Sequence, residues 1–288
     1  MRRRQAMVIG RRQFMLSSVG AAATLPLLSQ NSGAAPDNPK PKIGIQLYAV
    51  RYEFAKNVPH TIQNLADIGY QGVEFYGYGG TKNVFKNWSA QQLRQLLDAF
   101  GIQCCGMHLN LNAFSEKNLA TTVENNKILG NKYLIVAAAG NMMHEKDTIK
   151  KFADILNDTA EKVKSEGMKV GYHCHGFDFK EMGGSTAWDM LFNQVPPEVV
   201  MQLDTGNCAG GGGDPVAILK KFPGRTDSLH VKEWDAAPLK VGDSTWKQIL
   251  HLCKTLHQTE WYTIEQGEHQ GKGFAVAKES YETLRKML

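Results

Sequence analysis

The chain has 288 residues, with 33 Lys and Arg against 28 Asp and Glu and a formal charge of +5. Arg2, Arg3, Arg4, Arg11 and Arg12 meet no acidic residue in their segment and account for that excess, so the rest of the chain is close to neutral. A neutral body gives no electrostatic case for nucleic acid or an anionic membrane, and five cysteines without ribbon or framework spacing exclude a disulfide scaffold and a zinc finger.

In chain order, the basic start is followed by Gly10-Arg11-Arg12-Gln13-Phe14-Met15-Leu16, a weakly apolar run from Phe14 to Leu28, and small residues around Ser32 to Ala35. This reads as a twin-arginine export signal over residues 1–34. The apolar run is broken by Ser, Gly, Thr and Pro, whereas a membrane span needs about 20 predominantly apolar residues. The expectation is a periplasmic or secreted protein delivered by the twin-arginine export machinery, with no membrane attachment once the signal is removed. That route carries folded proteins, which suits unpaired core cysteines and a metal loaded before export. Residues 35–41 read as a linker. Residues 42–288 form one expected domain, close to the about 250 residues typical of a single α/β barrel.

From Lys42 the chain alternates strand-like and helix-like runs. The expected strands are Lys42–Ala49, Gly72–Tyr76, Gln103–Leu109, Tyr133–Ala139, Lys169–His175, Val199–Thr205, Asp227–Lys232 and Trp261–Gln266. The expected helices are Val58–Ile68, Ser89–Phe100, Glu116–Leu129, Asp147–Glu166, Thr186–Asn193, Pro215–Lys221, Ser244–His257 and Phe274–Met287. Eight such alternations predict an α/β fold, a closed (β/α)8 TIM barrel of parallel strands with helical crossovers. Period-two alternation sets the faces. Gly171, His173 and His175 share one side of the fifth strand, Gln202 and Asp204 one side of the sixth, and Thr263 and Glu265 one side of the eighth. Gly44 then Gln46, Gly72 then Glu74, and Gly106 then His108 repeat the theme in strands one to three. Trp261 is expected on the outer face.

Four strand-like runs in the second half end on His173, Asp204, His230 and Glu265. The carboxyl ends of parallel strands are where α/β barrels build active sites, and burying several polar groups together is costly without compensation. These four residues are therefore the candidate ligands of a divalent cation. Mixed nitrogen and oxygen ligation suits Mn, Co, Fe or Zn better than Ca. The run Gly210-Gly-Gly-Gly213-Asp214-Pro215 lacks the lysine and spacing of a phosphate loop; Asp214 is the expected N-cap and Pro215 the first turn of a helix.

The segments Ile43-Gly-Ile-Gln-Leu-Tyr48, Gly69-Tyr-Gln-Gly-Val-Glu-Phe75, Gly171-Tyr-His-Cys-His175, Leu203-Asp-Thr-Gly-Asn207, His230-Val-Lys-Glu233 and Ile264-Glu-Gln266 resemble the sugar phosphate isomerase/epimerase family with the xylose isomerase-like barrel. The resemblance covers nearly all of the chain from Lys42. It implies a divalent metal held at the ends of strands five to eight, by position His173, Asp204, His230 and Glu265. Many ketose epimerases of that family carry Glu on strand five as one half of a two-carboxylate proton relay. This chain has His173 there, which weakens simple epimerisation.

The expected function is a metal-dependent sugar isomerase or epimerase that abstracts a proton beside the carbonyl of a sugar or polyol to give an enediolate. The alternative is a lyase or dehydratase of inosose-dehydratase or keto-glycoside type, and a third reading is a non-catalytic carbohydrate binder. Glu265 is the first candidate base, although ligation would lower its basicity, an argument for Asp178 or His175 instead. His175 can also ligate in place of His173. Lys232 is placed to stabilise negative charge. Gln46, Glu74, His108 and Asn207 are candidate contacts to substrate hydroxyls, and Trp234 is the best placed of the tryptophans to stack on a sugar ring.

Overall fold

Two glycines, Gly44 and Gly72, decide how the barrel floor fills. The structure, a computed structural model, describes residues 40–137, 139–233, 244–266 and 271–288. The expected signal peptide and Trp234 lie outside the described residues. Among the described residues, no helix is long and apolar enough to cross a membrane.

Eight parallel strands form the barrel: β1 (Lys42–Gln46), β2 (Gly72–Tyr78), β3 (Gln103–Leu109), β4 (Tyr133–Val136), β5 (Lys169–His173), β6 (Val200–Gln202), β7 (Ser228–Val231) and β8 (Trp261–Ile264). From β1 to β6, and from β7 to β8, each pairs with its neighbour in sequence, and β1 also pairs with β8, with Lys42 opposite Trp261. Between β6 and β7 the contact is reduced to a parallel bridge at Asp204 and His230, with His230 N–H donating to the Leu203 carbonyl at 2.8 Å and Met201 N–H to that of Arg225 at 2.7 Å. The fold is thus the (β/α)8 TIM barrel that the alternation predicts.

The helices are α1 (Arg51–Lys56), α2 (Val58–Ile68), α3 (Ala90–Phe100), α4 (Glu116–Leu129), α5 (Lys146–Lys164), α6 (Ala187–Phe192), α7 (Thr205–Gly210), α8 (Pro215–Lys221), α9 (Ser244–Leu252) and α10 (Gly273–Met287). Local chemistry fixes several ends. Asn57, Ser89, Thr186 and Asp214 accept backbone N–H bonds as N-caps, and Gly69, Gly101 and Gly130 close α2, α3 and α4 in the left-handed region. Six of the eight strands stop short of their expected carboxyl ends; a 3-10 turn at Leu47–Val50 replaces the end of β1, and further 3-10 turns, Gly140–Met143 and Gly176–Phe179, lie beyond β4 and β5. A short antiparallel hairpin, Asn83–Phe85 with Trp88–Ser89, was not expected from the sequence.

Two apolar layers result. The larger lies between sheet and helices and includes Val73, Leu134, Tyr172, Trp188 and Leu203, all buried. Side chains of this kind contribute about 1.5–3 kcal/mol each when fully buried. The smaller fills the barrel floor: Cys105, Tyr133, Ile135, Val200 and Trp261. A Cβ on Gly72 would meet the Trp261 ring at 2.6 Å, and one on Gly44 would meet Cys105 Sγ at 2.9 Å. Trp261 therefore points inward, correcting the expected outer position; it shares parity with Thr263 and Glu265, and glycines on β1 and β2 give its indole room.

Candidate metal centre

The barrel's carboxyl end gathers the four candidate ligands. His173 is the last residue of β5. Asp204 follows β6 and caps α7, its Oδ1 accepting the Asn207 N–H at 2.6 Å. His230 lies on β7, and Glu265 immediately follows β8, its N–H donating to the Val231 carbonyl at 3.3 Å. One ligand atom from each lies within 4.8 Å of the others. His173, Asp204 and His230 are buried and Glu265 nearly so.

The hydrogen bonds assign roles to the atoms. His230 spans two carboxylates, with Nδ1 2.8 Å from Glu265 Oε2 and Nε2 2.6 Å from Glu74 Oε2. Burial alone would lower its pKa, but the charges of Glu74 and Glu265 and their hydrogen bonds raise it to about 10. His173 behaves oppositely. Burial and the neighbouring His230 and His108 rings push it well below the ordinary value, so it is neutral. Its Nδ1 faces Gln202 Oε1 at 3.2 Å, and its Nε2 is 3.7 Å from Glu265 Oε2. Because Gln202 Nε2 donates to Glu74 and Ser228, Gln202 Oε1 is an acceptor and His173 Nδ1 carries the proton. The Nε2 lone pair is left facing the cluster.

Burial would raise Glu265, yet the His230 hydrogen bond and the charges of His230 and Lys232 hold its carboxyl below the usual range. Burial raises Asp204 despite the opposing Lys232 ammonium. Asp204 Oδ2 is buried without a hydrogen-bond partner among the described residues, 3.9 Å from His230 Nδ1 and 3.8 Å from Lys232 Nζ. An orphaned anionic oxygen among two imidazoles and a second carboxylate fits a divalent cation.

Beneath this group lies a polar layer that sequence reasoning misassigned. Glu74 is fully buried; it accepts from Gln46 Nε2 at 2.8 Å, Gln202 Nε2 at 2.9 Å and His230 Nε2, with His108 Nε2 at 3.1 Å. Gln46 Oε1 accepts the Tyr48 N–H, and His108 Nε2 lies 2.7 Å from Gln202 Oε1. Gln46, Glu74 and His108 were expected to meet substrate hydroxyls. Their hydrogen-bonding atoms instead satisfy one another inside the barrel. Gln202 joins this layer unannounced, although its shared face with Asp204 placed it inward.

The remaining candidates divide. Asp178 does not join the group. Its carboxylate accepts from the Tyr172 hydroxyl at 3.0 Å and the His175 N–H at 2.7 Å, on the helix-facing side of β5 where Tyr172 packs against Trp188. The 3-10 turn at Gly176–Phe179 carries it there, which corrects its expected place as a base beside the substrate. His175 stays near the centre, its ring 5.2 Å from that of His173 and stacked on Phe177 at 5.6 Å. Burial lowers its pKa, and its Nδ1 has no hydrogen-bond partner among the described residues. Lys232 Nζ donates to Asn207 Oδ1 at 3.2 Å, and Asn207 Nδ2 donates to the Cys174 carbonyl. Burial would lower Lys232, but Asp204 and Glu265 raise it, so it is a cation. Thr205 was not singled out in the sequence; its hydroxyl donates to the Lys232 carbonyl at 2.8 Å and accepts the Lys232 N–H at 3.0 Å, anchoring that residue.

A family model described as xylose isomerase-like TIM barrel matches residues 62–287. Inosose dehydratase of Geobacillus kaustophilus is 26% identical over 196 residues, covering 60% of this chain and 60% of that protein. Inosose dehydratase of Clostridium beijerinckii is 30% identical over 99 residues, covering 33% and 31%. The chain thus spans 60% or less of the length of these curated relatives. A sugar phosphate isomerase/epimerase from Parabacteroides distasonis is similar in structure with a TM-score of 0.71 at 22% identity, covering 88% of this chain and 95% of that one. D-allulose 3-epimerase from Methylomonas sp., in complex with D-allulose, aligns with a TM-score of 0.67 at 11% identity, covering 87% and 98%. At such identities these structures share the fold.

Proposed function

Since this chain belongs to the xylose isomerase-like TIM barrel family, we propose that it is a divalent-metal-dependent enzyme that removes the proton beside the carbonyl of a keto-sugar or keto-polyol and then expels a hydroxyl group as water. His173, Asp204, His230 and Glu265 would hold the metal. A divalent ion bound there supplies positive charge that polarises the carbonyl and acidifies the adjacent C–H. The observation that carries the reading is a pair of unlike acid–base groups beside the ligand set: neutral His175, whose Nδ1 has no partner among the described residues, and cationic Lys232.

Elimination needs such a pair. His175 takes the proton from carbon, the C–O bond at the next carbon breaks as the double bond forms, and Lys232 donates a proton to the departing oxygen. Epimerisation instead asks for two similar bases on opposite faces of one carbon, and His173 stands where the second carboxylate of such a relay would be. The similarity to inosose dehydratases supports the same reading. Isomerisation or epimerisation is the second reading, favoured by the bond that fixes Lys232 to Asn207. A lysine held there as a charge leaves His175 to return its proton to carbon.

The test uses purified protein loaded with Mn²⁺, incubated with a panel of keto-sugars and keto-polyols in heavy water and followed by mass spectrometry. Loss of water from the substrate supports elimination. Deuterium uptake without loss of water moves the assignment to isomerisation. Saturable sugar binding with neither outcome would make the protein a non-catalytic carbohydrate binder and sink the enzymatic reading.

Export belongs to the same proposal. The arginine pair at Arg11 and Arg12 and the apolar run behind it support twin-arginine delivery to the periplasm or the exterior. Free sugar phosphates are scarce there, which favours an unphosphorylated substrate.

A further inference from the structure

The described residues offer two overlapping ways to hold a cation: the four ligand candidates, and the three imidazoles of His108, His173 and His230. His173 and His230 belong to both, so one ion cannot occupy the two sets independently. What separates them is which nitrogen of His230 is free. Nδ1 faces Glu265 and Asp204, whereas Nε2 faces Glu74 and the stacked ring of His108, 5.1 Å away.

We propose that Glu74 is a positioning residue that holds the Nε2–H of His230, so that Nδ1 faces the cation and the ion is directed to the carboxylate-bearing set. The proposal rests on the metal-dependent reading and extends it to a residue outside the ligand group. Three features of Glu74 make it suited to this. It is fully buried, so its bond to His230 at 2.6 Å does not compete with bulk water. Gln46 Nε2 and Gln202 Nε2 hold its two oxygens from different strands, which fixes the plane of the carboxylate. Gly106 opposite it on β3 has no side chain, and a Cβ there would overlap Glu74 Oε1, so the glycine is what admits the carboxylate to the barrel axis.

The same layer closes the rival site. His108 Nε2 points at Gln202 Oε1 at 2.7 Å and Glu74 Oε2 at 3.1 Å, and His230 Nε2 at Glu74. All three imidazoles thus turn a nitrogen toward acceptors already in the barrel, His173 through Nδ1 toward Gln202 Oε1. A carboxylate behind a ligating imidazole fixes its tautomer and raises its basicity, and losing that partner typically costs 10–100-fold in metal affinity.

The test titrates metal-free protein with Co²⁺, reading the dissociation constant by calorimetry and the ligand field by visible absorption. Glu74→Gln keeps the size of the side chain, but its amide must point a donor at Gln46, Gln202 or His230, all of which donate to Glu74 now. The expected result is a 10–100-fold weaker Co²⁺ affinity with an altered absorption band and an unchanged far-ultraviolet circular dichroism spectrum. An affinity within twofold of wild type with the same band would overturn the role of Glu74 and leave the metal reading intact. Wild-type protein that binds no Co²⁺ would overturn both. Nitrogen-15 NMR of the wild-type protein with Zn²⁺ gives an answer even if Glu74→Gln fails to fold. The expected spectrum has a retained His230 Nε2–H and a metal-shifted Nδ1, and metal at Nε2 would sink the proposal.

Discussion

Asp204 Oδ2 and Lys232 Nζ lie 3.8 Å apart, too far for a direct hydrogen bond and close enough for strong attraction. The carboxylate oxygen is otherwise unpartnered among the described residues, and the ammonium is tied to Asn207. A cation bound by Asp204 would therefore sit beside a fixed positive charge. Removing that charge in Lys232→Met is expected to leave Co²⁺ affinity unchanged or several-fold tighter while turnover falls by about 10²-fold or more. Calorimetry and steady-state rates on one preparation check both; loss of metal would show that Lys232 holds the site together instead.

The four ligand candidates make a simpler prediction. His173→Ala, Asp204→Asn and His230→Ala each remove one donor from a set whose atoms lie within 4.8 Å of one another. Elemental analysis after gel filtration should give about one metal per chain for wild type and little for each variant. Full occupancy in His230→Ala would remove His230 from the set.

His175 is expected to act on protons and not on metal. His175→Asn should keep metal content and lose about 10²- to 10⁴-fold in kcat. Burial pushes its pKa below the ordinary value of 6.5, so the active neutral form persists through neutrality. The rate should rise with pH through a value below 6.5 and then level. A rate still climbing above neutral pH would point to a different base.

Asp178 carries a stability prediction. Burial raises its pKa to about 7, against the bonds from His175 and Tyr172. An unfolded aspartate titrates near about 3.9. The folded protein therefore keeps a proton that the unfolded chain has released between those values. This contribution is fully present below about pH 4 and is lost as pH rises through about 7, and its size is on the order of 4 kcal/mol. Asp178→Asn should flatten the decline, seen by comparing urea midpoints at about pH 5 and about pH 8. An undiminished slope in the variant would assign the decline to other groups.

If residues 1–34 direct export, Arg11→Lys with Arg12→Lys should hold the full-length protein inside the cell. Fractionation and N-terminal sequencing check this. Undisturbed delivery of the double variant would dismiss the twin-arginine route.

Much of the barrel is legible in the sequence because its determinants are local. Asn57, Asp214 and Gly130 mark helix ends by their own side chains or by the lack of one, and the expected bounds of α2, α4 and α8 match the structure. The hairpin at 83–89 escapes because strands of two and three residues are too short to show a period. α7 escapes because Asp204-Thr-Gly-Asn207 has turn composition, and only the Asp204 cap in place reveals a helix. At the site, strand-end position identifies which side chains converge, since alternation fixes their direction. It does not reveal that Glu74, Gln46, His108 and Gln202 satisfy each other, because those bonds join four strands. Nor does it reveal that one turn of 3-10 helix carries Asp178 over to Tyr172.

The tryptophan at the barrel floor bears on kinetics. Trp261, Tyr133 and Ile135 pack together in the barrel floor, so on the proposed reading reactant and product would both pass the opposite rim. A product still lodged there blocks the next molecule from docking, and product inhibition should accordingly be competitive.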